Sequence, residues 1–92
     1  MNWRNPLDEK PKSGQVIWCM YKHWKESGAL GYQIMAGEVE YDRNGDWQAQ
    51  SGDWTGQGSW AVKSRDYSGG EDECIAWLPE SELEIPKFAK ER

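Results

Sequence analysis

The chain has 92 residues and a formal net charge of −5, with 37% hydrophobic and 29% charged residues. Length fixes a single small domain whose thin core buries only about 60–65% of the extended surface. The charge excludes a phosphate-backbone binder, which needs clustered Lys and Arg: from Glu38 to Glu84 there are 12 acids against Arg43, Lys63 and Arg65.

Seven tryptophans stand out against a meagre aliphatic supply: Trp3, Trp18, Trp24, Trp47, Trp54, Trp60 and Trp77. A buried indole removes roughly 150–250 Å² from water, on the order of 4–6 kcal/mol gross. Backbone ordering costs about 1–2 kcal/mol per residue, so most of these rings must be structural. Trp3, Trp18, Trp47, Trp60 and Trp77 are therefore assigned to the core.

Residues 3–14, with Pro6, Pro11 and Gly14, predict an irregular lead-in ending in a turn. Gln15–Lys22 (QVIWCMYK) is β-branched and aromatic and predicts a buried strand. His23–Gly28 is expected to be a polar connection carrying Trp24. Leu30–Met35 predicts a second strand, and Gly37 a bulge or bend before the next. Glu38–Tyr41 alternates, with Val39 and Tyr41 on one face, and Asp46–Gln50 alternates again through Trp47 and Ala49. Asn44-Gly45 between them predicts a two-residue hairpin turn with both residues at positive φ.

Ser51–Gly58 is a Gly/Ser loop holding Trp54, and Ser59–Ser64 a short strand with Trp60 and Val62 on one face. Arg65–Glu73 is an acidic loop holding Tyr67. Cys74–Leu78 predicts the last strand, ended by Pro79, which cannot donate to a ladder. Pro79–Ile85 predicts a short helical turn, with Ser81 and Glu84 at capping-box spacing, and residues 87–92 a frayed tail after a single domain over 1–86. The sum is a mainly β fold, a small antiparallel sheet curling into a half-barrel or compact sandwich.

The two ends carry a family likeness. Trp3, then Pro11-Lys12-Ser13-Gly14 leading into the Val16-Ile17 strand, and the closing Ile75-Ala76-Trp77-Leu78-Pro79, resemble the short phage and prophage proteins of the domain of unknown function 551 family. Ala76 stands where that family often has His, and Lys10 where it often has Leu. The resemblance covers about 25 residues. It implies a phage or prophage accessory protein in the cytoplasm of a host bacterium, with no activity attached.

No residue pattern marks a catalytic site. His23 is the single histidine, and Cys19, four residues before it on a predicted strand, stands about 13 Å away. Cys19 and Cys74 lie in apolar segments and are expected to be reduced and buried. One His and two Cys fall short of a zinc site, and Asp42–Asp46 is too short for a calcium loop. No cofactor and no metal are expected. The N-terminus MNWRNPLDEK carries no secretory signal, and no apolar run reaches membrane-spanning length.

Trp24 and Trp54 sit in polar surroundings, and indoles are enriched where proteins bind each other. With Tyr67 and the acidic Glu71, Asp72 and Glu73 they form the expected partner-binding set, suited to a basic host or phage protein. The expected function is non-enzymatic binding of such a protein, in its sharpest form as an acidic inhibitor of a nucleic-acid-handling protein. The alternatives are a carbohydrate or small-molecule binder, or a minor metal-dependent enzyme using His23, Cys19 or Cys74. The chain is expected to be a monomer or dimer, with Glu38–Tyr41 as an edge strand that either pairs with a second copy or is kept from doing so by its charges.

Overall fold

The computed structural model describes residues 2–52, 59–65 and 73–92, with the backbone alone for Trp24, Ser59 and Trp60. Five strands, β1 (Val16–Trp24), β2 (Leu30–Tyr41), β3 (Trp47–Gly52), β4 (Ser59–Lys63) and β5 (Cys74–Pro79), form one antiparallel sheet in the order β4-β3-β2-β1-β5. A one-turn 3-10 helix (Glu80–Glu82) and a helical turn α1 (Lys87–Lys90) follow. The sheet curls into a half-barrel whose outer strands meet at one point, where Lys63 bridges Glu73 in parallel.

Curling gives the sheet an inner face and an outer face. Ile17, Cys19 and Tyr21 of β1, Val39 of β2, Trp47 and Ala49 of β3, Val62 of β4 and Cys74 and Trp77 of β5 fill the inner one, with Met35 packed against them. Strand periodicity puts alternate residues of β1 and β2 on opposite faces, so Val16, Trp18 and Met20 look outward.

β1 and β2 are both longer than the sequence predicts. β1 runs on through His23 and Trp24, which pair with Gly31 and Leu30. The connection is only Lys25–Ala29, closed by Lys25 N–H donating to the Ala29 carbonyl at 2.9 Å, with Gly28 at φ +86°. The Asp42–Asp46 connection has the same build: Asp42 N–H donates to the Asp46 carbonyl at 2.8 Å and Gly45 takes φ +84°. Asn44 keeps a negative φ, so this is the three-residue hairpin loop with glycine at its left-handed position rather than a two-residue turn. Asp42 Oδ1 accepts from the backbone N–H groups of Asn44 and Asp46 at 2.8 and 3.1 Å.

β2 is a single strand across Gly37, not two. Its first part pairs with β1, from Leu30 opposite Trp24 to Glu38 opposite Val16, and its last part, Glu38–Tyr41, pairs with β3. Glu38–Tyr41 is therefore an interior stretch and not an edge. At Gly37 the strand below is crossed so closely that an added Cβ would stand 3.0 Å from the Ala49 carbonyl carbon, the Ala49 Cβ and the Gln50 nitrogen. Glycine is required there for backbone approach.

The tryptophans divide. Trp47 and Trp77 are buried, as expected, while Trp3 and Trp18 are only half-buried and Trp60 is described by its backbone pairing with Ser51. The lead-in runs against β5, the edge strand beside β1, where Arg4 exchanges backbone hydrogen bonds with Trp77 at 2.9 and 3.1 Å. Trp77 Nε1 donates to the Glu9 carbonyl at 2.9 Å, and the Arg4 guanidinium lies 5.5 Å from the Trp77 ring centre while pairing with Glu82. One arginine thus ties the lead-in, β5 and the 3-10 turn together. Lys87–Lys90 closes one helical turn with no buried residue.

Gly37→Ala is expected to cost about 1–3 kcal/mol, the range for forcing atoms into a packed site, whereas Gly52→Ala, which meets nothing within 4 Å, is expected to be neutral. Urea unfolding of the two variants against the parent chain checks this.

Candidate protein-binding face

The expected partner-binding set is not assembled in the described structure. Trp54, Tyr67, Glu71 and Asp72 lie outside the described residues. Trp24 is the last residue of β1, opposite Leu30, rather than part of a loop. Glu73 sits half-buried against Lys63, ahead of β5.

What the fold does assemble is an apolar strip on the outer face. In antiparallel register, directly opposed residues share a face. Met20 faces Ile34, Lys22 faces Tyr32, Trp18 faces both Ala36 and Leu78, and Ala76 stands beside Met20 on the other side. Leu30 follows Tyr32 and Ile34 on the same face of β2. Tyr32 is 61% exposed, Ile34 47%, Leu30 41% and Val16 39%. Leu78, at the β5 end, is fully buried where the 3-10 turn approaches β1. Trp18 Nε1 is buried with no hydrogen-bond partner, as is Trp47 Nε1 in the core.

The strip changes character along β2. Beyond Ala36 the outward residues are Glu38 and Glu40, opposed by Gln50 and Gln48 of β3, with Lys63 of β4 opposite Gln48. Both glutamates are exposed. The outer face therefore has an apolar stretch with carboxylates at one end and Lys22 set within it, opposite Tyr32. Apolar area bordered by polar residues is the layout of a protein contact surface.

Other chemistry is less developed. An open groove of about 510 Å³ is lined by Ser81, Leu83, Glu84, Ile85, Pro86 and Lys90. Most of its lining is solvent-exposed, whereas small-molecule sites enclose most of their ligand. Among the described residues no group of three or more His, Cys, Asp or Glu is placed to hold a metal ion, and no helix is long and apolar enough to cross a membrane. His23 is half-buried within β1 rather than exposed in a loop, and the unbroken strand keeps it four residues from Cys19.

The two cysteines meet each other instead. Both are free and buried. Cys74 pairs in register with Tyr21, next along the inner face from Cys19, and its Sγ donates to the Ala76 carbonyl at 3.1 Å. Hydrogen bonding with Cys74, then burial, pushes the Cys19 thiol far above its ordinary range. Such a thiol is inert, since the thiolate is the nucleophile.

No family model, curated protein or solved structure matches the chain.

The raised Cys19 pKa fixes the sign of a pH effect. The unfolded chain releases the thiol proton around pH 9.0, the ordinary value, while the folded chain keeps it. Folding stability carried by this group is therefore complete below pH 9.0 and is lost above it, by up to about 1.4 kcal/mol per pH unit. Urea unfolding at pH 7 and pH 10 is expected to show a smaller alkaline loss in Cys19→Ala than in the parent chain.

Proposed function

We propose that this chain is a non-enzymatic binding module that docks a basic protein partner on the outer face of its sheet. One observation carries the reading: an apolar strip with Val16, Leu30, Tyr32 and Ile34 exposed and Met20 half-buried among them runs directly into Glu38 and Glu40 on the same face. A small domain gains nothing in stability from leaving four large apolar side chains in water, and contiguous exposed apolar patches rimmed by polar residues mark interaction sites. The carboxylate end selects for a partner with Lys or Arg at the matching edge, and the net charge of −5 adds long-range attraction.

The likeness of the chain ends to the domain of unknown function 551 family supports a phage or prophage setting, in which the partner is a host or phage protein. A nucleic-acid-handling protein supplies the basic surface this face would take.

Affinity capture from bacterial lysate tests the reading when run with face variants. A partner held by the parent chain is expected to be lost, at least tenfold, from Val16→Lys and from Glu38→Lys/Glu40→Lys, and to weaken as salt shortens the screening length below about 10 Å. Retention of the same protein by both variants, with indole fluorescence confirming that they are folded, would place the contact elsewhere.

A further inference from the structure

The first half of β2 has a second property that the outer face does not use. β2 lies between β1 and β3, but β3 pairs only with Glu38–Tyr41. From Leu30 to Ala36 the side of β2 away from β1 is paired with no described strand.

The hydrogen-bond phase of this edge follows from the two ends of the β1–β2 ladder. Lys25 bonds Ala29 at one end, and Val39 N–H donates to the Gln15 carbonyl at 2.9 Å at the other. In an antiparallel ladder bonded and non-bonded pairs alternate, so Gly31, Gln33, Met35 and Gly37 spend their backbone groups on β1. Leu30, Tyr32, Ile34 and Ala36 turn theirs to the open side.

Edges that remain single are normally blocked by charge, proline or a bulge. This one has none of them: Ala29–Gly37 (ALGYQIMAG) contains no charged residue and no proline, and the β1–β2 register is unbroken along it.

We propose that two copies of this chain pair through this edge, antiparallel about a two-fold axis at Gln33, joining their sheets into one. In that register Tyr32 faces the second copy's Ile34, Ile34 its Tyr32, and Leu30 its Ala36. These are the residues whose N–H and C=O groups point outward, so each opposed pair exchanges two backbone hydrogen bonds. The same register places aromatic against β-branched side chains on the outer face, a favourable cross-strand pair, and brings no like charges together. This self-match is what selects a second copy over a foreign strand: sequence, hydrogen-bond phase and length of the open stretch agree with one symmetric register. The two apolar strips then join side by side, with Glu38 and Glu40 of each copy at opposite ends. The pairing stands apart from the proposed partner binding, and neither requires the other.

Sedimentation analysis of the purified chain up to about 100 μM, a range that populates micromolar dimers, tests it with three variants. Tyr32→Lys and Ile34→Lys put charge on the edge at exposed positions. Val16→Lys puts it on the same face but on β1, one strand in from the edge and opposite Glu38 rather than the open stretch, and indole fluorescence checks that each variant is folded. The parent chain and Val16→Lys are expected at twice the 10.6 kDa chain mass, and Tyr32→Lys and Ile34→Lys at the single mass. In the dimer, amide hydrogen exchange at Tyr32, Ile34 and Ala36 is expected to slow on raising the concentration, while that at Gly31 and Gln33 stays unchanged. A parent chain that remains at the single mass overturns the proposal. A dimer that survives both edge variants, or one in which those three amides exchange freely, overturns the assignment of the edge.

Discussion

The close crossing of β3 over Gly37 is the constraint on which the rest of the structure depends. β2 is one strand serving two ladders: β3 runs alongside it over Glu38–Tyr41 and then approaches its inner face at Gly37. The missing side chain at Gly37 lets Ala49 and Gln50 approach to the point where a Cβ would have no room. That crossing brings Ala49, Trp47 and Val62 over Ile17, Cys19 and Trp77 and closes the small core. With so little aliphatic material, the fold depends on curvature to enclose what it has.

The same crossing fixes what is left outside. Because β3 leaves the edge of β2 at Glu38, the stretch from Leu30 to Ala36 keeps a side that no described strand pairs with. Because the core is gathered on the inner face, alternate residues of β1 and β2 are turned outward, and there the chain exposes Val16, Leu30, Tyr32 and Ile34 where a lone domain would place polar groups. The Arg4 cluster fastens the lead-in and the 3-10 turn across β5, where Leu78 is fully buried, while Val16, Tyr32 and Ile34 stay exposed. Core, apolar face and open edge are thus consequences of one backbone approach.

Much of this was legible in the residues. The alternation of Glu38–Tyr41 and Trp47–Gln50 around a glycine-bearing turn defined the central hairpin, and apolar Cys74–Leu78 closed by a proline defined the last strand. Trp47 and Trp77 sat in segments whose period already pointed them inward. Other features were hidden for physical reasons. His23, Trp24 and Lys25 have loop-like composition, but the turn belongs to Ser27-Gly28, and β1 pairs up to it. Gly37 looked like a break because glycine permits both a bend and a close approach, and only the strand passing over it decides between them. The exposed apolar face was missed because QVIWCMYK is apolar on both sides and so resembles a fully buried strand. Which half of it faces water depends on register with β2 and on where β3 crosses, both long-range properties. The available signal was the outward set Leu30, Tyr32 and Ile34, whose spacing of two continues that of Val16, Trp18 and Met20. Indoles in polar surroundings drew attention to Trp24 and Trp54 instead.

The most direct test of the account is a proton nuclear Overhauser measurement at Gly37 in the folded chain. The account predicts strong cross-peaks from the Gly37 α-protons to the Ala49 methyl group and the Gln50 amide, beside the ordinary cross-strand contact with Ile17. Cross-peaks to Ile17 with none to Ala49 or Gln50 would mean that β3 does not cross the strand, and would contradict the curled core together with the apolar face and the open edge that follow from it.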